Sequence, residues 1–169
     1  MTDTASFYRG LPAKRSGAGI LITREAEEVL LVQPTYKDRW EIPGGACEAD
    51  ESPYAAAGRE VMEELALDVA VGRLLVVDWT SPAGARTEAF MFVFDAPPVD
   101  PQTIRLQDTE LCGWQFVHQS RLEDFVVDRM ARRLRAALQA KRMDQTMYLE
   151  DGRQAPRAFR GGSQLDATS

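Results

Sequence analysis

Apolar residues in this chain fall into short dense runs and two longer stretches of helical spacing. Residues 17–23 (GAGILIT) and 29–32 (VLLV) are aliphatic runs around the polar break 24–28, which is the pattern of a hairpin. Residues 69–80 and 87–95 repeat the form around a Pro/Gly turn at 81–85, with Val76, Val77 and Trp79 suited to a sheet. Residues 114–117 make a short late strand. The first helix starts at Ser52, whose hydroxyl can cap free N–H groups, and Pro53, which lacks the donor its position cannot use. It is predicted to run to about Ala66, with Ala57, Val61 and Leu65 as its apolar stripe. The run Ala55, Ala56, Ala57, Gly58 is small enough for close approach to a sheet. The second helix is predicted over residues 121–141, with Leu122, Phe125, Val126, Met130, Leu134 and Leu138 on one face. Its basic C-terminal half suits the helix dipole better than it suggests a nucleic-acid patch.

Strands flanked by two helices predict an α/β sandwich, with a mixed sheet because hairpins are present. Residues 1–14 read as an arm that Phe7, Tyr8 and Leu11 could dock. Residues 15–150 read as one domain, and residues 151–169 as a disordered tail.

The chemistry concentrates after the Gly44–Gly45 turn. Glu60, Glu63 and Glu64 stand at i, i+3 and i+4 of the first helix, so they share a face. Such carboxylates repel one another by about 0.2–0.5 kcal/mol per pair, and a cation between them removes that cost. Hard oxygen ligands suit Mg²⁺, with Mn²⁺ as substitute, rather than zinc.

Composition narrows the partners. A chain of 169 residues with 44% hydrophobic content can bury a genuine core. Its apolar runs are far too short to span a bilayer. The N-terminus lacks the plan of a signal peptide, so a cytoplasmic location is expected, and Cys47 and Cys112 are expected as free thiols. The formal net charge of −6, without a basic run, argues against a nucleic-acid polymer as ligand. An acidic protein can still take a phosphate compound where metal ions invert the local charge.

Residues 45–67, GACEADESPYAAAGREVMEELAL, resemble the Nudix box, G-x5-E-x7-R-E-U-x-E-E-x-G-U with U a bulky aliphatic. The matching positions are Gly45, Glu51, Arg59, Glu60, Val61, Glu63, Glu64 and Leu67, and Ala66 replaces the second glycine. With six fixed residues at roughly 6–7% usage each, chance gives about one in 10⁷ per start point, so accident is a poor explanation. Ala66 leaves the ligands untouched but takes φ > 0 less easily than glycine.

The resemblance implies a Nudix-like α/β/α sandwich that hydrolyses a small organic diphosphate, a nucleoside diphosphate joined to another group. It implies Glu60, Glu63 and Glu64 as metal ligands, with the Gly44 carbonyl as a backbone ligand. One of the glutamates would also orient or deprotonate the attacking water. Arg59 would fix the carboxylates with Glu51 as partner, and the same pair also reads as a plain helix-to-loop brace. Glu48 and Asp50 read as solvated loop charges. Members of the family add a carboxylate from a distant loop; Asp108 and Glu110 are candidates, with Glu110 preferred. Tyr36, Lys37, Arg39 and Arg86 are candidate substrate contacts, while Trp40 reads better as a core-edge aromatic. Pro82 is similar to a proline beyond the box in ADP-ribose-cleaving members, although one proline in a turn is usually only a turn. His118 reads as a surface or turn residue.

Two rival functions remain open at this level. An isopentenyl-diphosphate isomerase type needs an added cysteine and glutamate in a deep pocket. A sensor module would bind a nucleotide without cutting it. A homodimer through the aliphatics of residues 69–77 also stays open against a core role for them.

Overall fold

The computed structural model describes residues 3–25, 27–107 and 110–155. Among these residues nine strands and four α-helices follow in the order α1 (Thr4–Arg9), β1 (Arg15–Leu21), β2 (Thr23–Arg24), β3 (Glu28–Pro34), β4 (Gly44–Ala46), α2 (Pro53–Leu65), β5 (Leu74–Thr80), β6 (Ala89–Asp95), β7 (Leu111–His118), α3 (Leu122–Phe125), α4 (Asp128–Arg142), β8 (Met147–Glu150) and β9 (Arg153–Gln154). A six-stranded sheet runs β4-β1-β6-β5-β8-β9, and a three-stranded sheet runs β2-β3-β7. The larger sheet is mixed: β1–β6 and β5–β8 are parallel, and the other pairs are antiparallel.

Strand alternation divides the core between the two faces. Ala18 and Ile20 of β1 and Phe94 of β6 pack with Ala56, Ala57, Val61 and Leu65 of α2. Leu21, Val93 and Leu75 pack on the other side with Ala131, Leu134 and Leu138 of α4. The expected α/β/α sandwich is therefore present, built on two sheets.

Helix α2 forms as its sequence dictates. The Ser52 hydroxyl accepts from the Ala55 N–H at 3.1 Å. The helix ends at Ala66, which takes the left-handed conformation (φ 51°, ψ 36°) while its N–H bonds the Met62 carbonyl at 3.0 Å.

Four expectations need correction. The run 17–23 does not form one hairpin with 29–32: β1 is an inner strand of the large sheet, and only Thr23–Arg24 turns back onto β3. The 121–141 helix is two helices, because Val126 and Val127 are extended (ψ 165° and 150°). The Phe125 carbonyl accepts from the Trp40 N–H at 3.0 Å, a tertiary bond in place of a helical one, and β-branched Val126 and Val127 yield there easily. Phe7, Tyr8 and Leu11 stay 58%, 66% and 47% exposed, so they do not dock the arm. The expected tail, 151–169, begins as structure: Arg153–Gln154 is a strand paired with β8, and the Gly152 N–H bonds Asp78 Oδ1 at 3.0 Å. The remainder of that tail, from residue 156, lies outside the described residues, as does Asp108. The aliphatics of residues 69–77 line the core, since β5 lies between β6 and β8 with Leu75 and Val76 fully buried.

Candidate active site

Short strand β4 and helix α2 build the site. Gly44 sits at φ 145°, and a Cβ there would stand 2.3 Å from the Ala18 carbonyl oxygen, so only glycine fits. A Cβ on Gly45 would stand 2.3 Å from Glu60 Oε1. The Gly44–Gly45 turn is thus a cradle against which the Glu60 carboxylate lies. One turn further along α2, Glu64 Oε2 accepts from the Gly44 N–H at 2.9 Å. Glu64 is 8% exposed.

Arg59 organises the acids on its side of the helix. Its Nε and Nη2 grip Glu51 as a fork, at 2.8 and 3.0 Å. Its Nη1 donates to Glu60 at 3.0 Å and Glu63 at 2.8 Å, and its Nη2 reaches the Ala46 carbonyl at 3.2 Å. Glu51 also accepts from the Glu48 N–H at 2.9 Å. The Arg59 bond first, and that N–H second, hold the Glu51 carboxyl at about 2. Glu63 is the outlying member, its side chain 58% exposed.

Glu60 and Glu64 behave oppositely to Glu51. Burial pushes Glu60 up from the ordinary carboxylate value, and Arg59 opposes that rise. Burial pushes Glu64 up to about 8, against the pull of the Gly44 N–H, with Glu60, Glu41 and Glu110 adding repulsion. Glu110 therefore lies within electrostatic reach of both. Its loop is tied to the end of α2 through Gln107, whose N–H donates to the Glu64 carbonyl at 3.1 Å.

The donor set fits a hard divalent cation such as Mg²⁺. Carboxylate oxygens crowd around the glycine cradle, and Arg59 is the cation bonded to them. Among the described residues no group of three His, Cys, Asp or Glu side chains is gathered so as to hold a metal ion. Mg²⁺ suits such an open arrangement because it keeps several waters and takes only one or two carboxylates.

A family model of the NUDIX domain matches residues 13–139. The chain belongs to the Nudix family. It is 43% identical over 74 residues to diphosphoinositol polyphosphate phosphohydrolase 2 of Rattus norvegicus, covering 43% of this chain and 41% of the relative. It is 45% identical over 65 residues to diphosphoinositol polyphosphate phosphohydrolase 3-alpha of Homo sapiens, covering 38% and 40%. The match thus spans about two fifths of these relatives. Among solved structures, a UDP-X diphosphatase superposes with TM-score 0.70 at 21% identity, over 88% of this chain and 76% of that one. An ADP-ribose pyrophosphatase of Streptococcus suis superposes with TM-score 0.64 at 22% identity, over 82% and 99%. At these identities the structural likeness speaks for the fold.

The Nudix box is thus assembled, and one cleft reaches its glycines while a second adjoins that cleft; Glu60, Glu63, Glu64 and Glu110 line neither. One, of about 280 Å³, runs along Gly17, Gly19, Gly44 and Gly45 and is bordered by Tyr36 and Glu41. The other, of about 520 Å³, is lined by Lys37, Arg39, Trp40 and Arg86. They share Arg15, Glu41, Ala89, Met91, Met130 and Arg133. Sequence-predicted Tyr36, Lys37, Arg39 and Arg86 therefore all border one continuous groove. Lys37 is paired with Glu41 at 2.6 Å. Trp40 is a core-edge aromatic, packed edge-on against Phe125 at 5.6 Å.

Neither cysteine lines these clefts: Cys47 is half-buried against the core and Cys112 is exposed. His118 is a surface residue, between Glu27 at 2.9 Å and Ser120 at 2.8 Å. No described helix is long and apolar enough to cross a membrane.

Sequence reasoning missed Glu41, Arg15 and Arg133. An acid inside the apolar WEIP run before the glycine turn is the signal for Glu41. For Arg133 the signal is a cation at i+3 from Met130 and i+4 from Arg129, next to the buried stripe Leu134 and Ala137.

Proposed function

We propose that this Nudix protein is a Mg²⁺-dependent pyrophosphohydrolase. It cuts a P–O bond in the diphosphate of a small organic substrate, a nucleoside diphosphate joined to another group. The observation that carries this reading is Glu64, buried against the Gly44 N–H with Glu60, Glu41 and Glu110 as its charged neighbours. The names of the relatives, phosphohydrolases of diphosphoinositol polyphosphates, and of the structural neighbours, a diphosphatase and a pyrophosphatase, support the reaction class.

Glu60 and Glu64, with the Gly44 carbonyl, would hold the ion, and Glu63 would join them from the solvent side. When bound, Mg²⁺ neutralises charge developing on the diphosphate and lowers the pKa of nearby water. The chain itself supplies position and proton transfer. Arg59, clamped by Glu51, keeps the Glu60 and Glu63 carboxylates in place. Glu63 and Glu110 are the acids proposed to orient the attacking water and accept its proton. Tyr36 offers a ring for stacking at the mouth of the groove, and Lys37, Arg39 and Arg86 offer charge to the phosphates.

A phosphate-release screen tests the proposal. It would cover nucleotide sugars, dinucleoside polyphosphates, ADP-ribose, NADH, modified dNTPs and prenyl diphosphates, with and without Mg²⁺. Cleavage of at least one organic diphosphate that stops on chelation is expected. No cleavage of any of them with Mg²⁺ or Mn²⁺ would overturn the reading.

A further inference from the structure

The groove and the carboxylate cluster behind the glycine cradle differ in charge. The glycine cradle is backed by the Glu60 and Glu64 carboxylates, which line neither cleft, and Glu41 is the acid at the floor the two clefts share. The larger cleft is basic on balance, with Arg15, Lys37, Arg39, Arg86, Arg129 and Arg133 against Asp38 and Glu41, in a protein whose formal net charge is −6. Three of these cations have no carboxylate partner among the described residues. Arg15 donates to the Thr87 hydroxyl at 3.0 Å and the Thr87 carbonyl at 2.5 Å. Arg39 meets only the Glu123 carbonyl, at 3.5 Å. Arg86 has no side-chain partner, and its backbone is fixed by paired hydrogen bonds with Ala83, both 3.0 Å.

Arg133 is different. It is 4% exposed and lies at the floor shared by both clefts. Its Nε donates to buried Asp78 at 2.7 Å, and its Nη1 meets only the Met130 sulfur, a weak acceptor, at 3.8 Å. Its Nη2 makes no hydrogen bond among the described residues and is not sealed from solvent, so it opens to the groove. A guanidinium carries five donors, and this one spends a single good one inside the protein. The spare donors lie in a low-dielectric floor, where a charge-assisted bond is strengthened.

We propose that Arg15, Arg86 and Arg133 form an anion subsite for a second phosphate of the substrate, one remote from the anhydride that is cut. The inference rests on the diphosphate reading above, since it assigns the other end of the same molecule. It separates from that reading because the arginines bind without a metal. Beside the Glu60 and Glu64 carboxylates phosphate is repelled until an ion arrives; among the arginines it is attracted directly.

Calorimetric titration of the full chain with inorganic tripolyphosphate in EDTA tests it, with citrate as a tricarboxylate control. Tripolyphosphate is expected to bind, and citrate to bind more weakly. Arg86→Gln should weaken tripolyphosphate about tenfold, the loss of one charge-assisted hydrogen bond. Arg133→Lys keeps the charge beside Asp78 but loses the fork, and should weaken it as well. Glu64→Gln, outside both clefts, should not weaken it. Absence of binding in EDTA, citrate binding as tightly, or binding indifferent to both arginine substitutions would overturn the subsite. Loss of Mg²⁺-dependent hydrolysis alone would strike the proposed reaction and leave the subsite standing.

Discussion

The two faces of the large sheet each bury ionisable side chains, and they treat them in opposite ways. On the α4 face, Arg133 is 4% exposed and Asp78 fully buried, and they meet at 2.7 Å. Asp78 has a further donor in the Gly152 N–H at 3.0 Å. On the α2 face, Glu64 is 8% exposed, and its neighbours are an N–H and other acids. A buried charge is tolerated only when paired. The α4 face meets that demand within the chain and uses the pair to tie helix to strand. The α2 face leaves it to a ligand, and that is where chemistry is expected.

The largest effect should come from the α2 face. Glu64→Gln keeps an acceptor for the Gly44 N–H but removes the charge. Turnover should fall by about 10²–10³-fold, while far-UV circular dichroism and the thermal midpoint in EDTA hold or rise. Parental turnover with Mg²⁺ would erase the distinction between the faces.

On the α4 face the expected loss is stability rather than chemistry. Asp78→Ala leaves Arg133 buried without its partner, and breaking such a pair costs about 3–5 kcal/mol. Urea denaturation measures it. A cost below about 1 kcal/mol would mean that the pair is not the brace between α4 and β5.

Glu51 supplies the pH test. Its folded pKa, about 2, is depressed below the ordinary value of 4.5, first by Arg59. Its contribution is therefore present above pH 4.5 and is lost as pH falls toward 2. The stability difference between the parent and Glu51→Gln should shrink across that window. A difference constant from pH 6 to pH 2 would contradict the clamp.

The smallest change concerns the end of α2. Ala66 sits at φ 51°, where a Cβ is unfavourable, so Ala66→Gly should stabilise by about 1 kcal/mol. Thermal denaturation reads this. Destabilisation would mean that the turn depends on the methyl group.

The contrast between the faces also explains what could be read from the sequence. Glu60, Glu63 and Glu64 lie on one helix, and Gly44, Gly45, Glu51 and Arg59 lie within sixteen residues of one another. Helical spacing and turn chemistry suffice to bring them together, so the carboxylate cluster was legible. The Ser52 cap and the strain at Ala66 are equally local. Arg133 meets Asp78 across 55 positions and Arg15 meets Thr87 across 72, and no local pattern encodes such distances. The break at Val126 depends on the Trp40 N–H, and β8, four residues long, exists because β5 offers it an edge. Glu41 was visible as a residue but not as a neighbour of Glu64, because the turn that brings them near is tertiary.

Manganese binding followed by electron paramagnetic resonance bears most directly on the site. The parent chain should deplete the free-ion signal, and Glu60→Gln and Glu64→Gln should each restore most of it. A free-ion signal unchanged by the parent chain, alone and with an organic diphosphate added, would contradict the account.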